Sequence, residues 1–206
     1  MYEDSFTSGI LSNGTTNLPR DYYRITLAAN GLSPVIINTY LDNNLKYDIE
    51  LKDEIILVSE EFSELTNWEI LSGTWEVSAG TLISQTELFY DNNIEQKIIS
   101  NTIPVEEGGH YVIKVDLRYE LEWEKDFFSI TYVSEDDTDT LLSLTGDKYE
   151  FYTEYIPLVI SPGQANGHIL LSLQTDYNLN YRGVEIEDIK MIPQIKRYTL
   201  FILLPI

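Results

Sequence analysis

The chain has 206 residues, enough for one large domain or a domain with an appendage, and its 34 acidic against 13 basic residues give a net charge of −21. That charge repels nucleic-acid phosphate and anionic lipid, so neither is an expected partner. Hydrophobic residues at 43% exclude a disordered acidic chain, and the absence of cysteine excludes disulfides, thiolate chemistry and cysteine zinc sites.

The chain opens Met1-Tyr-Glu-Asp-Ser with no basic or apolar leader segment, so no signal peptide is expected. Residues 1 to about 20, rich in Ser, Thr, Asn and Gly, read as an extended arm. Strand-like runs follow at Tyr22–Ala28, Val35–Leu41, Leu45–Leu51 and Glu54–Ser59. Asn30-Gly31 and Asn43-Asn44 between them suit tight hairpin turns, which predicts a small β-meander.

From Glu60 on, short apolar runs are broken by Ser72-Gly73 and Ala79-Gly80, and Ile94–Ser100 is the next predicted strand. Tyr111 to Glu124 then alternates without a break. Tyr111, Ile113, Val115, Leu117, Tyr119, Leu121 and Trp123 share one face, with Val112 and six charged residues on the other. Period two predicts a long strand with a core face and a water face. With a turn at Lys125-Asp126 and Phe128, Ile130 and Tyr132 on a return strand, it predicts a long antiparallel hairpin that needs a second sheet to cover it. Further strands are predicted at Leu141–Leu144, Phe151–Ile160, His168–Thr175 and Val184–Ile192. Many short strands with frequent turn signals predict an all-β fold, a jelly-roll β-sandwich. The last run, Tyr198 to Ile206, is apolar on both faces and far shorter than the roughly 20 residues of a membrane span. It is expected either as a strand paired with the meander or as a strand inserted into another subunit. The expected organisation is therefore an arm and meander over 1–59, a sandwich over 60–192, and an apolar strand or anchor over 193–206.

Between about residues 60 and 192 stand Glu61-Phe62 with Trp68, Gly73-Thr-Trp75, Gly80-Thr-Leu82, Ile94–Ile98, Gly109–Ile113, Tyr119–Val133, Leu141–Gly146 and the closing Gly183-Val-Glu-Ile-Glu-Asp-Ile189. On these residues the segment resembles the galactose-binding-like, carbohydrate-binding-module type of jelly roll. It implies a jelly roll and, as a possibility carried by some members, a glycan site and a structural Ca²⁺ between the first and last strands. The matching positions for that Ca²⁺ are Glu60 or Glu61 with Glu187 or Asp188. Their carboxylates suit a hard cation, and the alternation slips at Glu187-Asp188, which suggests a bulge turning a carboxylate inward. The acidic turn Glu135–Asp139 lacks the ligand spacing of a calcium loop and reads as solvated.

A sugar site needs aromatic faces beside amides or charges. Two predicted loops have that content, Phe89–Asn93 and Asp176–Arg182. They make Tyr90, Asn92, Asn93, Tyr177, Asn180, Tyr181 and Arg182 the candidate sugar-binding residues. Glu120, Glu122 and Glu124 on one strand face resemble the carboxylates of a jelly-roll glucanase, but i, i+4 on a straight strand is wider than the roughly 5–5.5 Å that retaining hydrolysis needs. His110 and His168 sit beside turn glycines and read as strand-end surface residues, and no other catalytic motif is present. The protein is expected to be non-catalytic. The polar arm and the apolar tail point first to a structural or interaction protein bound to other subunits of a large assembly or to itself, such as a bacteriophage virion component (capsid decoration, head-fibre or tail protein). The alternative is a secreted bacterial glycan-binding module of a larger enzyme or adhesin, acting outside the cell or at its surface.

Overall fold

The structure, a computed structural model, describes residues 22–29, 31–40, 45–49, 53–85, 88–135, 137–162, 164–194 and 198–202. The predicted N-terminal arm and most of the two Asn-containing turns lie outside these residues. The described chain forms two compact units, one from the residues up to Glu54 with those from Gln194 on, the other Ile55–Pro193.

The first unit holds β1 (Tyr22–Ala29), β2 (Leu32–Tyr40) and β3 (Leu45–Ile49), together with the chain's last described strand. β1 and β2 form an antiparallel hairpin around Gly31, whose φ of 73° is the left-handed conformation that a tight turn requires. Val35, Ile36 and Ile37 of β2 are buried.

The second unit follows with β4 (Val58–Glu60), β5 (Trp68–Ser72), β6 (Glu76–Ser78), β7 (Thr81–Ile83), β8 (Glu95–Ser100), β9 (Ile103–Pro104), β10 (His110–Glu120), β11 (Phe127–Val133), β12 (Thr138–Leu144), β13 (Asp147–Val159), β14 (Asn166–Gln174) and β15 (Gly183–Pro193). The chain ends its described course in β16 (Tyr198–Ile202), which pairs antiparallel with β3. Tyr198–Ile202 of the apolar tail is thus a strand of the first unit. β3 takes this partner rather than β2, so consecutive strands do not form the predicted meander.

Ile55–Pro193 is a jelly-roll sandwich of two antiparallel sheets. The first runs β13-β10-β15-β7-β6, with β4 beside β7 along the same edge of β15. The second runs β12-β11-β14-β8-β5, with β9 on β14. The core lies between them. Ile113, Val115 and Leu117 of β10, Phe128 and Ile130 of β11, Leu171 and Leu173 of β14, and Ile186 of β15 are all 0% exposed. Each such side chain stabilises the fold by about 1.5–3 kcal/mol. On the other face of β10, Val112 is buried as well, while Lys114, Asp116 and Arg118 are partly exposed.

The predicted hairpin is corrected here. β10 and β11 do not pair, since β10 lies between β13 and β15 while β11 lies between β12 and β14. Residues 121–126 carry the chain from one sheet to the other. Both strands keep their predicted core faces because both sheets present that face to the same interior. β10 also stops at Glu120, and Trp123, expected on the core face, lies in the crossing turn with 68% of its surface exposed.

Candidate functional site

The crossing turn, the segments 84–85, 88–94 and 145–147, and the segment 175–182 gather at one end of the sandwich. Their sequences are rich in Asn, Asp, Thr and Tyr, whose side chains bond backbone groups and so replace strand pairing in loops. The centre of this network is Asp126, which is 0% exposed. One carboxylate oxygen accepts a short hydrogen bond from the Tyr90 hydroxyl, and the other accepts the Asp176 backbone N–H at 2.8 Å. Burial first, then the hydrogen bond to Asp126, raises the Tyr90 hydroxyl well above its ordinary value and keeps it a donor. Asn92 donates to the carbonyls of Tyr177 and Asn178 at 3.1 and 2.6 Å, the Tyr90 N–H donates to the Tyr181 carbonyl, and the Asn93 N–H to the Asp176 carbonyl. The Leu179 N–H donates to Glu122 at 3.1 Å, and Thr145 bridges the Glu124 N–H to the Glu122 carbonyl.

These loops leave aromatic faces in water. Trp123, Tyr149 and Tyr177 are 68%, 65% and 72% exposed. The Trp123 ring lies against Gly146, where φ is 82° and a Cβ would come within 2.5 Å of the ring. Glycine is required here by both the backbone and the ring. Beside Tyr149 an open cleft is lined by Arg118, Lys148, Arg182, Glu120 and Glu185. Arg118 donates to Glu185 at 2.6 Å and stacks over the Phe151 ring at 4.7 Å. The charge of Asp147, foremost, raises the Tyr149 hydroxyl above its ordinary value, so it too remains a neutral donor and acceptor.

The two loops singled out in the sequence do meet, held by Asn92 and Asn93. Tyr177, Asn180 and Arg182 are exposed there, and Tyr181 is half-buried. Tyr90 is corrected: it is 1% exposed, and its hydroxyl is taken up by Asp126, so it supports the loops from beneath and offers no face to a ligand. Asn92 likewise uses its amide to tie the loops. Trp123, Tyr149 and Asp126 also stand at this end and are not among the residues expected from the sequence. Gly146, in the turn that leads into β13, was the available sign of a ring packed on bare backbone.

The four carboxylates proposed for calcium do not converge. Glu60 pairs with the core residue Ile189 and so faces inward, where its two oxygens accept the Phe62 N–H and the Asn67 side-chain amide, each at 3.1 Å. Asp188, one position before Ile189, lies on the outer face opposite Asp116 and accepts from Lys190 at 2.7 Å. The predicted bulge exists, with Glu187 as the extra residue opposite Asp116 and Leu117, but the bulged side chain and Glu61 are exposed. Among the described residues no three His, Cys, Asp or Glu side chains gather in a metal-holding group, in the Glu135–Asp139 turn or elsewhere. Glu120, Glu122 and Glu124 do not share a strand face either, because the last two lie in the crossing turn and Glu124 has a φ of 56°. His168 sits at the start of β14 with Nδ1 2.8 Å from the Ser100 carbonyl.

A second opening lies towards the other end of the sandwich, floored by Trp68, Ile103, Ile113 and Met191, with Glu60 and Asn67 at its polar side.

No protein-family model matches the sequence, and no curated protein is similar to it. Among solved structures, the chain is similar to the C-terminal CBM6 of LamC, a marine laminarinase from Zobellia galactanivorans, at 12% identity and a TM-score of 0.42, over 66% of this chain and 98% of that one. It is also similar to BiXyn10A CBM1 in its apo form, at 14% identity and a TM-score of 0.48, over 66% of this chain and 97% of that one. These are distant likenesses of chain path.

Proposed function

We propose that the sandwich unit is a non-catalytic glycan-binding module whose site is the loop end centred on Trp123, Tyr149 and Tyr177. One observation carries this reading. Three large aromatic rings are each about two-thirds exposed at this end, Trp123 and Tyr177 on loops tied by hydrogen bonds to a buried carboxylate and Tyr149 at the start of β13. An aromatic face in water gains by covering the apolar face of a sugar ring, and the surrounding amides, carboxylates and guanidinium can take its hydroxyls. Loops fixed before the ligand arrives lose little freedom on binding. A fold of this kind hosts many functions, so the reading rests on these rings and not on the sandwich. It corresponds to the secreted module expected as the alternative. The virion reading leans on a polar arm, which lies outside the described residues, and on the apolar tail, of which Tyr198–Ile202 pairs with β3 of the same chain.

The test is binding of the purified chain to a panel of neutral and acidic polysaccharides by affinity electrophoresis and calorimetry. Trp123→Ala and Tyr177→Ala should each weaken binding by about tenfold or more, as for a central aromatic anchor. If no polysaccharide binds, or both variants bind as the parent does, the reading falls.

A further inference from the structure

We propose that the opening at the other end of the sandwich is a second binding site, separate from the glycan-binding loops, and that its ligand is an organic cation, an ammonium group on an apolar body. The cavity measures about 310 Å³ and is lined by residues of β4, β10 and β15 from one sheet and of β5, β8, β9 and β14 from the other. Trp68, Ile103, Ile113, Ile169, Ile189 and Met191 of this lining are all 9% exposed or less. Protein interiors leave few voids larger than a water molecule, whereas sites for small molecules are mostly apolar hollows of roughly 300–1,000 Å³. A hollow of this size between two sheets forfeits packing that an apolar guest restores.

One group in this lining is a carboxylate. Glu60 is 8% exposed, and its pairing with Ile189 turns it to the inner face. Both of its hydrogen-bond partners are neutral, the Phe62 N–H on one oxygen and the Asn67 amide on the other. A carboxylate offers about four lone-pair sites, so each oxygen can accept a further donor. A buried charge is costly unless it is paired, and two neutral donors do not neutralise it. The cavity lining contains no Lys, Arg or His. Lys190 stands between Ile189 and Met191 in β15, but on the outer face, where it pairs with Asp188 at 2.7 Å. The turn from Glu60 to Asn67 adds Glu61 and Glu64, both exposed. The mouth therefore favours a positive charge and repels an anion. Phe62 fixes the arrangement. Its φ of 43° is rare for a bulky residue, its N–H is held by Glu60, and its buried ring lies 5.8 Å from that of Trp68. An ammonium head would meet the Glu60 oxygens and the Trp68 indole, whose ring face attracts cations, while its hydrocarbon body fills the space beside Ile103, Ile113 and Met191. A hard metal ion suits the site less well. Ca²⁺ takes about six to eight oxygen ligands, and among the described residues no three metal-ligating side chains gather here.

The experiment titrates the full chain with hexylammonium, hexanol, hexanoate and calcium, read by calorimetry and by the rise in melting temperature that a ligand of the folded state produces. Hexylammonium should bind about tenfold or more tightly than hexanol, the order expected for a hydrogen bond to a charged group, and hexanoate should bind most weakly. Glu60→Gln keeps an acceptor for the Phe62 N–H, and Asn67, which is exposed, can turn its amide to match. In that variant hexylammonium and hexanol should bind alike. Met191→Phe, which fills the cavity, should weaken every organic probe. If Met191→Phe does not fold, Glu60→Gln decides alone. Hexanol or hexanoate bound as tightly as hexylammonium, or a preference that survives Glu60→Gln, would overturn the proposal. So would a folded Met191→Phe protein that binds hexylammonium as the parent does, since the ligand would then sit elsewhere. A rise in melting temperature from calcium that Glu60→Gln abolishes, with none from hexylammonium, would replace the organic cation by a metal ion. No binding of any probe would remove the site.

Discussion

The two ends of the sandwich each contain a buried carboxylate, and they use it differently. At the far end Glu60 accepts from Phe62 and Asn67, residues two and seven positions along, and so closes its own turn over an apolar opening. At the loop end Asp126 accepts from Tyr90 and Asp176, 36 and 50 residues away, and so joins three separate segments of the chain. A local bond stabilises a turn that would form in roughly that shape anyway. A long-range one decides where loops stand relative to each other. The end built on long-range bonds is also the one that leaves Trp123, Tyr149 and Tyr177 in water. Order without burial of the rings is what a preformed binding surface requires.

That contrast can be broken from its strongest point. Asp126→Ala leaves the Tyr90 hydroxyl and the Asp176 N–H buried without an acceptor, and should cost about 3 kcal/mol of folding stability. It should also weaken glycan binding, although Asp126 is 0% exposed and touches no ligand. Both are read from denaturant unfolding and calorimetry on one preparation. Gly146→Ala comes next. A Cβ there meets the Trp123 ring, and φ is 82°, so the change should cost about 2 kcal/mol and displace the ring. A shift in tryptophan fluorescence, together with weaker binding, would report it. Glu60→Ala should cost about 1–2 kcal/mol by orphaning the Phe62 and Asn67 donors, with glycan affinity unchanged. If Glu60→Ala lowers affinity as much as Asp126→Ala does, the two ends are not distinct in role.

Strand identity was legible because burial writes period two into the sequence. Tyr111, Ile113, Val115 and Leu117 alternate as read, and β8, β14 and β15 lie close to their predicted runs. Partnership was not legible. The same alternation suits a hairpin or strands in two sheets facing one core, and β10 and β11 lie in different sheets. For the same reason Trp123 was placed inside. The alternation continues two residues past Leu121, which is 3% exposed, but the strand has already ended. In the candidate site the Asn-rich loops could be found from composition. That Tyr90 is buried while Tyr177 is exposed follows from Asp126, and nothing local in the sequence links residues 36 and 50 positions apart. The calcium set does not converge for a reason of parity: Glu60 pairs with Ile189, which puts Asp188 on the other face of the sheet.

The smallest expected effect on stability is the most discriminating for function. Trp123→Ala removes a ring that is two-thirds in water and rests on a glycine, so unfolding stability should change by no more than about 0.5 kcal/mol. A tryptophan kept for packing would behave otherwise, since truncating a buried Trp costs about 3–5 kcal/mol. Measured beside Asp126→Ala, the two variants separate holding from binding. Asp126→Ala should lose stability and affinity together, whereas Trp123→Ala should lose affinity alone. A Trp123→Ala protein destabilised by several kcal/mol would mean that the ring is part of the core of the crossing turn, and the aromatic platform would then reduce to Tyr149 and Tyr177.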